Sequence, residues 1–355
     1  MLSRHGITRN RGPIGLSRGS VHRGVVLASM AVLLASASGC SGAGSTPASV
    51  ATSAPPSTSA PGATGAPLST SAPGATGGIW HLVWNDEFNG PAGTLPDPAH
   101  WTYDLGSASG WGNDEWEYYT NDPANVSMDG KGYLDITARK NDGSLGCYYG
   151  PCQYTSARLL TKNIYQFRYG LIEARIKVPA GIGLWPAFWM LGSDIDTHGW
   201  ALCGEIDVME NTGRTPNTLY GTAHGPGYSG GSGLSGTVDT DQPLSDDYHV
   251  FAVEWQPDSI VWTLDGKPYF HVTSADVPAG DQWVFDHDFF ILMNLAVGGG
   301  FAGLIDPALA LPATMSVDYV RVTSWLGKVG TASLTRTAAS VSDRGRGPNR
   351  RSDRA

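Results

Sequence analysis

The chain has 355 residues, 41% of them hydrophobic, 10% aromatic and 15% charged, with 32 acidic against 23 basic side chains. That length allows one to three domains with a sizeable core. The charge is unevenly spread: residues 79–325 carry 11 Lys and Arg against 30 Asp and Glu, a net of −19, which disfavours nucleic acid and anionic polysaccharide and leaves neutral polymers as partners.

Residues 1–24 hold five Arg and no acid, and Val25 to Ala35 is an apolar run of signal-peptide length, too short to span a bilayer. Small residues follow and allow two processing sites. Ala35-Ser36-Ala37 fits ordinary cleavage, whereas Ala37-Ser38-Gly39-Cys40 is similar to a bacterial lipobox, with Ala in place of Leu three residues before the Cys. The lone Cys40 favours the second, so residues 1–40 are expected to address the protein outward, secreted or as a cell-surface lipoprotein. Residues 41–78 are Ser, Thr, Ala, Pro and Gly, with Ser57 to Gly65 repeated as Ser69 to Gly77. Such a stretch buries no core and is expected to be a flexible tether. At the other end, residues 326–355 hold seven basic residues against two acids and are expected to be a disordered tail.

Between these segments, short alternating runs bounded by Gly, Pro, Asn or Asp predict strands at Tyr133 to Ala138, Gly170 to Val178, Phe188 to Leu191, Glu205 to Glu210, Leu219 to His224, His249 to Gln256, Ser259 to Leu264, Phe289 to Leu295 and Met315 to Val322. No stretch keeps a helical period. Asp265-Gly266 predicts a type I′ hairpin turn leading to Pro268 to Phe270. The fold class is therefore all-β, two packed antiparallel sheets. Cys147 and Cys152 flank Tyr-Tyr-Gly-Pro, a short loop that can close as a disulfide in an exported protein, and Cys203 is expected to be a small buried filler.

The segment Gly204-Glu205-Ile206-Asp207-Val208-Met209-Glu210 is the most informative. As a strand it sends Glu205 and Asp207 to one face, with no basic side chain to offset them. Glu210 is out of phase. It joins them only if one extra residue is inserted around Val208 or Met209 as a β-bulge. The two glutamates are then about four strand steps, roughly 13 Å, apart at Cα. Side chains leaning together leave roughly the 5 to 5.5 Å separation of a retaining glycosidase pair. A solvated acidic edge and a hard-cation site are the competing readings.

Glu205 to Glu210 resembles the bulged active-site strand of glycoside hydrolase family 16, the family of laminarinases, agarases and κ-carrageenases. Segments similar to laminarinase-type enzymes follow in order over residues 79–325: Trp84 to Gly90, Trp111 to Glu115 with Tyr118 to Thr120, Tyr169 to Lys177, Leu184 to Leu191, Asn294 to Gly299 and Val317 to Val322. The resemblance implies a curved β-jelly roll with a concave substrate cleft. It implies Glu205 as nucleophile, Glu210 as acid/base and Asp207 as the residue that orients and tunes Glu205. Trp111, Asn113, Arg158, Trp185, Trp189, His224 and Asn294 match substrate-binding positions, and the 12 Trp, all within residues 79–325, suit a carbohydrate cleft as well as a core. It further implies a structural calcium held by Glu87, the backbone near Gly130 and Asp318, with no cofactor needed for catalysis. The expected protein is a monomeric endo-acting hydrolase of β-1,3-glucan. Agar- or galactan-type hydrolysis, transglycosylation and non-catalytic glucan binding remain open alternatives. One departure stands out: after Gly299 the chain reads Gly-Phe-Ala-Gly-Leu-Ile-Asp306 where relatives often carry Trp or Asn, leaving the contacts there undetermined.

Overall fold

The computed structural model describes residues 78–328; the leader, the tether up to residue 77 and the tail beyond 328 lie outside them. The first strand, Gly78–Asp86, starts one residue before the expected domain boundary, and the last, Ala313–Lys328, ends three residues after it.

Two large sheets make the sandwich. The outer one has ten strands, ordered from Lys267–Thr273 through Ser259–Leu264, His249–Gln256, Gly170–Lys177, Ala313–Lys328, Leu134–Lys140 and Tyr154–Ser156 to Glu117–Tyr119, with Gly78–Asp86 and Val126–Met128 paired alongside. The inner one has seven, ordered Leu234–Asp239, Thr215–His224, Glu205–Thr212, Leu184–Gly192, Phe289–Val297, Arg158–Leu160, Thr102–Asp104. Every named pairing is antiparallel except Glu117–Tyr119 with Tyr154–Ser156.

The two sheets differ in what covers their faces, and the sequence shows it. In Gly170–Lys177, Ile172, Ala174 and Ile176 point into the core while Glu173, Arg175 and Lys177 point out, the alternation of a sheet with one wet face. Phe289–Val297, by contrast, is buried at every residue. Its Phe289, Ile291, Met293, Leu295 and Val297 enter the main core, and its Phe290, Leu292 and Asn294 floor a cleft on the other side. Apolar side chains buried on the core side contribute about 1.5–3 kcal/mol each. Leu184–Gly192 is double-faced in the same way and is longer than the predicted Phe188 to Leu191. The prediction stopped short at Pro186, which pairs with Leu295 on one side, while the register with the Glu205 strand begins only at Ala187.

Asp265 and Gly266 have φ of 50° and 74°, as a type I′ turn requires. Cys147 and Cys152 form the disulfide, and Cys203 is a buried free thiol, pushed up to about 12 by burial and then by the charges of Asp194 and Glu205. The short strands Thr102–Asp104, Glu117–Tyr119, Val126–Met128, Tyr154–Ser156 and Arg158–Leu160 were not predicted, because three residues show no period.

Candidate active site

The bulge is present, and Val208 is the extra residue. Phe188 pairs with Met209 and the next residue, Trp189, pairs with Asp207; on the other side Tyr220 and Thr222 face Glu210 and Asp207. Val208 and Met209 therefore both turn into the core, and Glu210 returns to the face of Glu205 and Asp207. Glu205 lies opposite Leu191 and Glu210 opposite Ala187, so five steps of the bulged strand span four of its neighbour, about 13 Å at about 3.3 Å per step. The irregularity has a partner across the core: Trp262 of the outer sheet donates its indole N–H to the Asp207 carbonyl at 2.7 Å.

The three carboxyls line a cleft of about 830 Å³. Each has its own neighbour. The Trp200 indole donates to Glu205 Oε2 at 3.0 Å, and the Trp185 indole donates to Glu210 Oε1 at 2.9 Å. His224 Nε2 stands 3.1 Å from Asp207 Oδ2 and 3.8 Å from Glu205 Oε1. The 3.1 Å approach lacks hydrogen-bond alignment, so Asp207 Oδ2 is a buried acceptor without a hydrogen bond, as His224 Nδ1 also is without one. Burial pushes all three carboxyls up to about 8; repulsion from Asp207 adds to this at Glu205 and Glu210, while His224 and the indole donors oppose it. Three such groups cannot ionise independently, and at neutral pH the cluster keeps at least one proton.

All seven predicted substrate positions, Trp111, Asn113, Arg158, Trp185, Trp189, His224 and Asn294, line the same cleft. The Arg158 guanidinium lies between two rings, 4.8 Å from the Trp111 centroid and 4.7 Å from that of Trp189. Its Nε is also 3.0 Å from Asp104 Oδ2. One run of hydrogen bonds fixes the rest of this wall. Trp189 donates to Asn294 Oδ1 (2.8 Å), Asn294 to the Tyr119 hydroxyl (3.0 Å), and Tyr119 to Glu115 Oε2 (2.9 Å), whose other oxygen accepts from Asn113 (3.2 Å). Behind it, the fully buried Glu117 accepts from the Val297 N–H at 2.7 Å. Burial first, then the adjacent Glu115, raises the Glu117 carboxyl well above its ordinary range.

The predicted calcium set does not assemble into a cation site. Glu87 accepts two hydrogen bonds from Arg321, at 2.9 and 2.8 Å, and Asp318 accepts one from Arg175 at 2.6 Å. Each carboxylate already has a guanidinium where the ion's charge would be needed. Among the described residues the one group of three ligand-type side chains within metal-binding reach is Glu205, Asp207 and His224, whose atoms lie within 4.8 Å of one another.

Three cleft residues escaped sequence reasoning. Trp200 sits five residues before Glu205 in a loop and is half exposed, outside any periodic run that would point it at the cleft. Tyr220 reaches the site as the cross-strand partner of Glu210, which needs the register. Phe301 lies in the segment that departs from relatives, and it packs edge-on against Trp185 (5.3 Å) and Tyr220 (5.1 Å), so the departure reaches the cleft wall beside Glu210.

A family model described as glycosyl hydrolases family 16 matches residues 113–320. The chain belongs to that family. It is accordingly a glycoside hydrolase, and the sandwich is the family's jelly roll. Family members similar to it include a beta-glucanase of Rhodothermus marinus, 40% identical over 258 residues covering 70% of this chain and 86% of that protein. A glucan endo-1,3-beta-glucosidase A1 of Niallia circulans is 41% identical over 262 residues, 68% of this chain and 37% of the longer relative. Among solved structures, an endo-beta-1,3-glucanase of Pyrococcus furiosus superposes with a TM-score of 0.67 at 45% identity, covering 71% of this chain and 97% of that one. Family 16 chemistry needs no catalytic cofactor.

Proposed function

We propose that the chain is an endo-acting β-1,3-glucanase of laminarinase type, cleaving by double displacement with retention at the anomeric carbon. The observation that carries this reading is the Val208 bulge, which turns Glu205, Asp207 and Glu210 onto one cleft face. The names of the relatives support the linkage.

In the first step ionised Glu205 attacks the anomeric carbon while protonated Glu210 gives its proton to the leaving oxygen; in the second, Glu210 takes a proton from water, which releases the sugar from Glu205. Glu205 is suited to ionise first because His224 stands 3.8 Å from its Oε1, whereas each glutamate alike has one indole donor. Burial and the charge of Asp207 raise both glutamates, and Glu210 is suited to keep its proton because no imidazole lies within ion-pair distance of it among the described residues. Asp207, between them, holds the pair's protons apart. Trp185 fixes the rotamer of Glu210 through its single hydrogen bond. The Arg158 sandwich and the Asn113 amide offer donors to hydroxyls of the sugars upstream of the cut, and the Trp faces offer stacking.

The reading extends to a monomer working outside the cell, secreted or held through Cys40; release of a Cys40→Ala variant from the membrane fraction would support the anchor. The chemistry is tested by proton NMR of fresh products from laminarin, with lichenan, agarose and galactan run beside it. Short oligosaccharides from laminarin with β anomers formed first support the reading. An α product or no product from laminarin overturns it. A Glu205→Ala variant rescued by azide to an α-glycosyl azide supports the assignment of the nucleophile. Full activity in that variant refutes it.

A further inference from the structure

The disulfide-closed hairpin at Gly146 to Pro151 lies outside the cleft, yet it carries aromatic side chains against the loop that forms the cleft wall. Its two-residue strands, Gly146–Cys147 and Gly150–Pro151, pair antiparallel, and the Cys147–Cys152 bond closes them. Tyr149 is the anchor. Its hydroxyl donates to the Trp116 carbonyl at 2.6 Å and accepts from the Gln153 N–H at 3.0 Å, and its ring packs on Trp116 with centroids 4.8 Å apart. Tyr148 stands edge-on to Tyr149 at 5.1 Å and is 44% exposed; Trp116 is 36% exposed.

The position of Tyr148 relative to the cleft is fixed by Gly110. A Cβ built there would fall 3.0 Å from Tyr148 Cε1 and 3.1 Å from the Glu115 amide nitrogen, and Gly110 has φ of 78°. Both facts require glycine. Gly110 is followed directly by Trp111, Gly112 and Asn113, which line the cleft, so the Tyr148 ring lies on the outer side of the turn whose inner side holds Trp111. Trp116 closes the same turn, its amide donating to the Val297 carbonyl at 2.9 Å. Trp116 and Tyr148 are thus partly exposed rings on and against the turn that carries Trp111 and Asn113 into the cleft.

An exposed, hydrogen-bond-anchored aromatic surface next to a polymer-binding groove has a simple use. We infer that Tyr148, linked to Trp116 through Tyr149, forms a distal sugar-stacking site that engages glucan residues beyond those held in the cleft, so that long chains bind better than short ones. Resting on the β-glucanase reading above, the inference adds a contact for chain length. Its occupant is the neutral polysaccharide already in the groove, in keeping with the acidity of this part of the chain, and the disulfide holds the ring in place. The Tyr148 hydroxyl has no hydrogen-bond partner among the described residues, so the ring is the part that matters.

The test compares kcat/KM on a laminarin-type polymer and on a β-1,3-linked tetrasaccharide. In Tyr148→Ala the polymer-to-tetrasaccharide ratio should fall about three- to tenfold, the range of one aromatic stacking contact, through KM and not kcat. Tyr148→Phe should restore it. Cys147→Ser/Cys152→Ser, which frees the hairpin, should lower the ratio in the same direction. An unchanged ratio in Tyr148→Ala, or an equal loss on both substrates, overturns the inference. Affinity electrophoresis in laminarin gels provides a readout independent of turnover: Tyr148→Ala should migrate faster than wild type, and identical migration also overturns it. Should wild type bind the polymer yet cleave neither substrate, the catalytic reading fails while the gel still decides the role of Tyr148.

Discussion

Glu87 and Asp318 on the outer sheet and Glu205, Asp207 and Glu210 in the cleft are the same side-chain types in opposite situations. Burial alone would raise Glu87, but the hydrogen bonds from Arg321 and Asn85 and the guanidinium charge bring its carboxyl below the usual range. Among the described residues the cleft trio has no Arg or Lys within ion-pair distance; its neighbours are two indoles and one imidazole, and its carboxyls are raised. A carboxylate given a guanidinium is a structural part with a fixed charge. Denied one and kept from water, it becomes a proton store, and retaining hydrolysis needs a store beside a nucleophile.

The strongest way to break this contrast is neutralisation. Glu205→Gln and Glu210→Gln should each lower kcat on laminarin about 10³-fold or more, in line with losses seen on removing an acid/base or nucleophile. Melting temperatures should hold or rise, since each change removes buried repulsion. A loss of melting temperature comparable to the loss of activity would mean that the glutamates are structural. Next in size is the pH response. A folded pKa of about 8, raised from 4.5 at the glutamates and 3.8 at Asp207, means the native state holds protons that the unfolded chain releases. The trio's protonated form therefore supports stability fully at pH below about 4 and loses that contribution as pH rises through about 8. Activity should fall on the same alkaline limb as Glu210 loses its proton, and Glu210→Gln should flatten the alkaline decline in melting temperature.

Trp185→Phe removes the one hydrogen bond to Glu210 while keeping a ring in the cleft. About a tenfold fall in kcat, with the alkaline limb moved upward because a donor to the anion is gone, is the expected outcome of steady-state profiles. Glu117→Gln is smaller: burial and then Glu115 raise the wild-type carboxyl, so the advantage of the amide in melting temperature should grow as pH rises. Smallest is Glu87→Gln, which removes one side of a half-exposed ion pair. It should cost about 0–1 kcal/mol in urea denaturation and leave kcat unchanged. A large activity loss there would mean that the outer sheet's charges reach the cleft.

Much of this was legible before any coordinates. The bulge could be deduced because three carboxylates with a period conflict leave one economical solution, whereas the strands buried on both faces were read with the others as short alternating runs. The seven cleft residues were reached through resemblance, and geometry brought them to one surface. What stayed hidden depends on pairing. Tyr220 meets Glu210 only through register, Trp200 reaches Glu205 only through the path of a loop, and the guanidinium partners of Glu87 and Asp318 lie 234 and 143 residues away in sequence. Long-range partners of that kind leave no local trace, which is why the sequence could not show that the Glu87 and Asp318 carboxylates are taken up by arginines.

The hydrogen bond from Trp262 to the Asp207 carbonyl ties the alignment of the three cleft carboxyls to a fully enclosed residue of the opposite layer. Selection for thermal robustness at that indole would at the same time set the aim of the reacting acids, so variants that loosen the sandwich there should become poorer enzymes before they become unfolded ones.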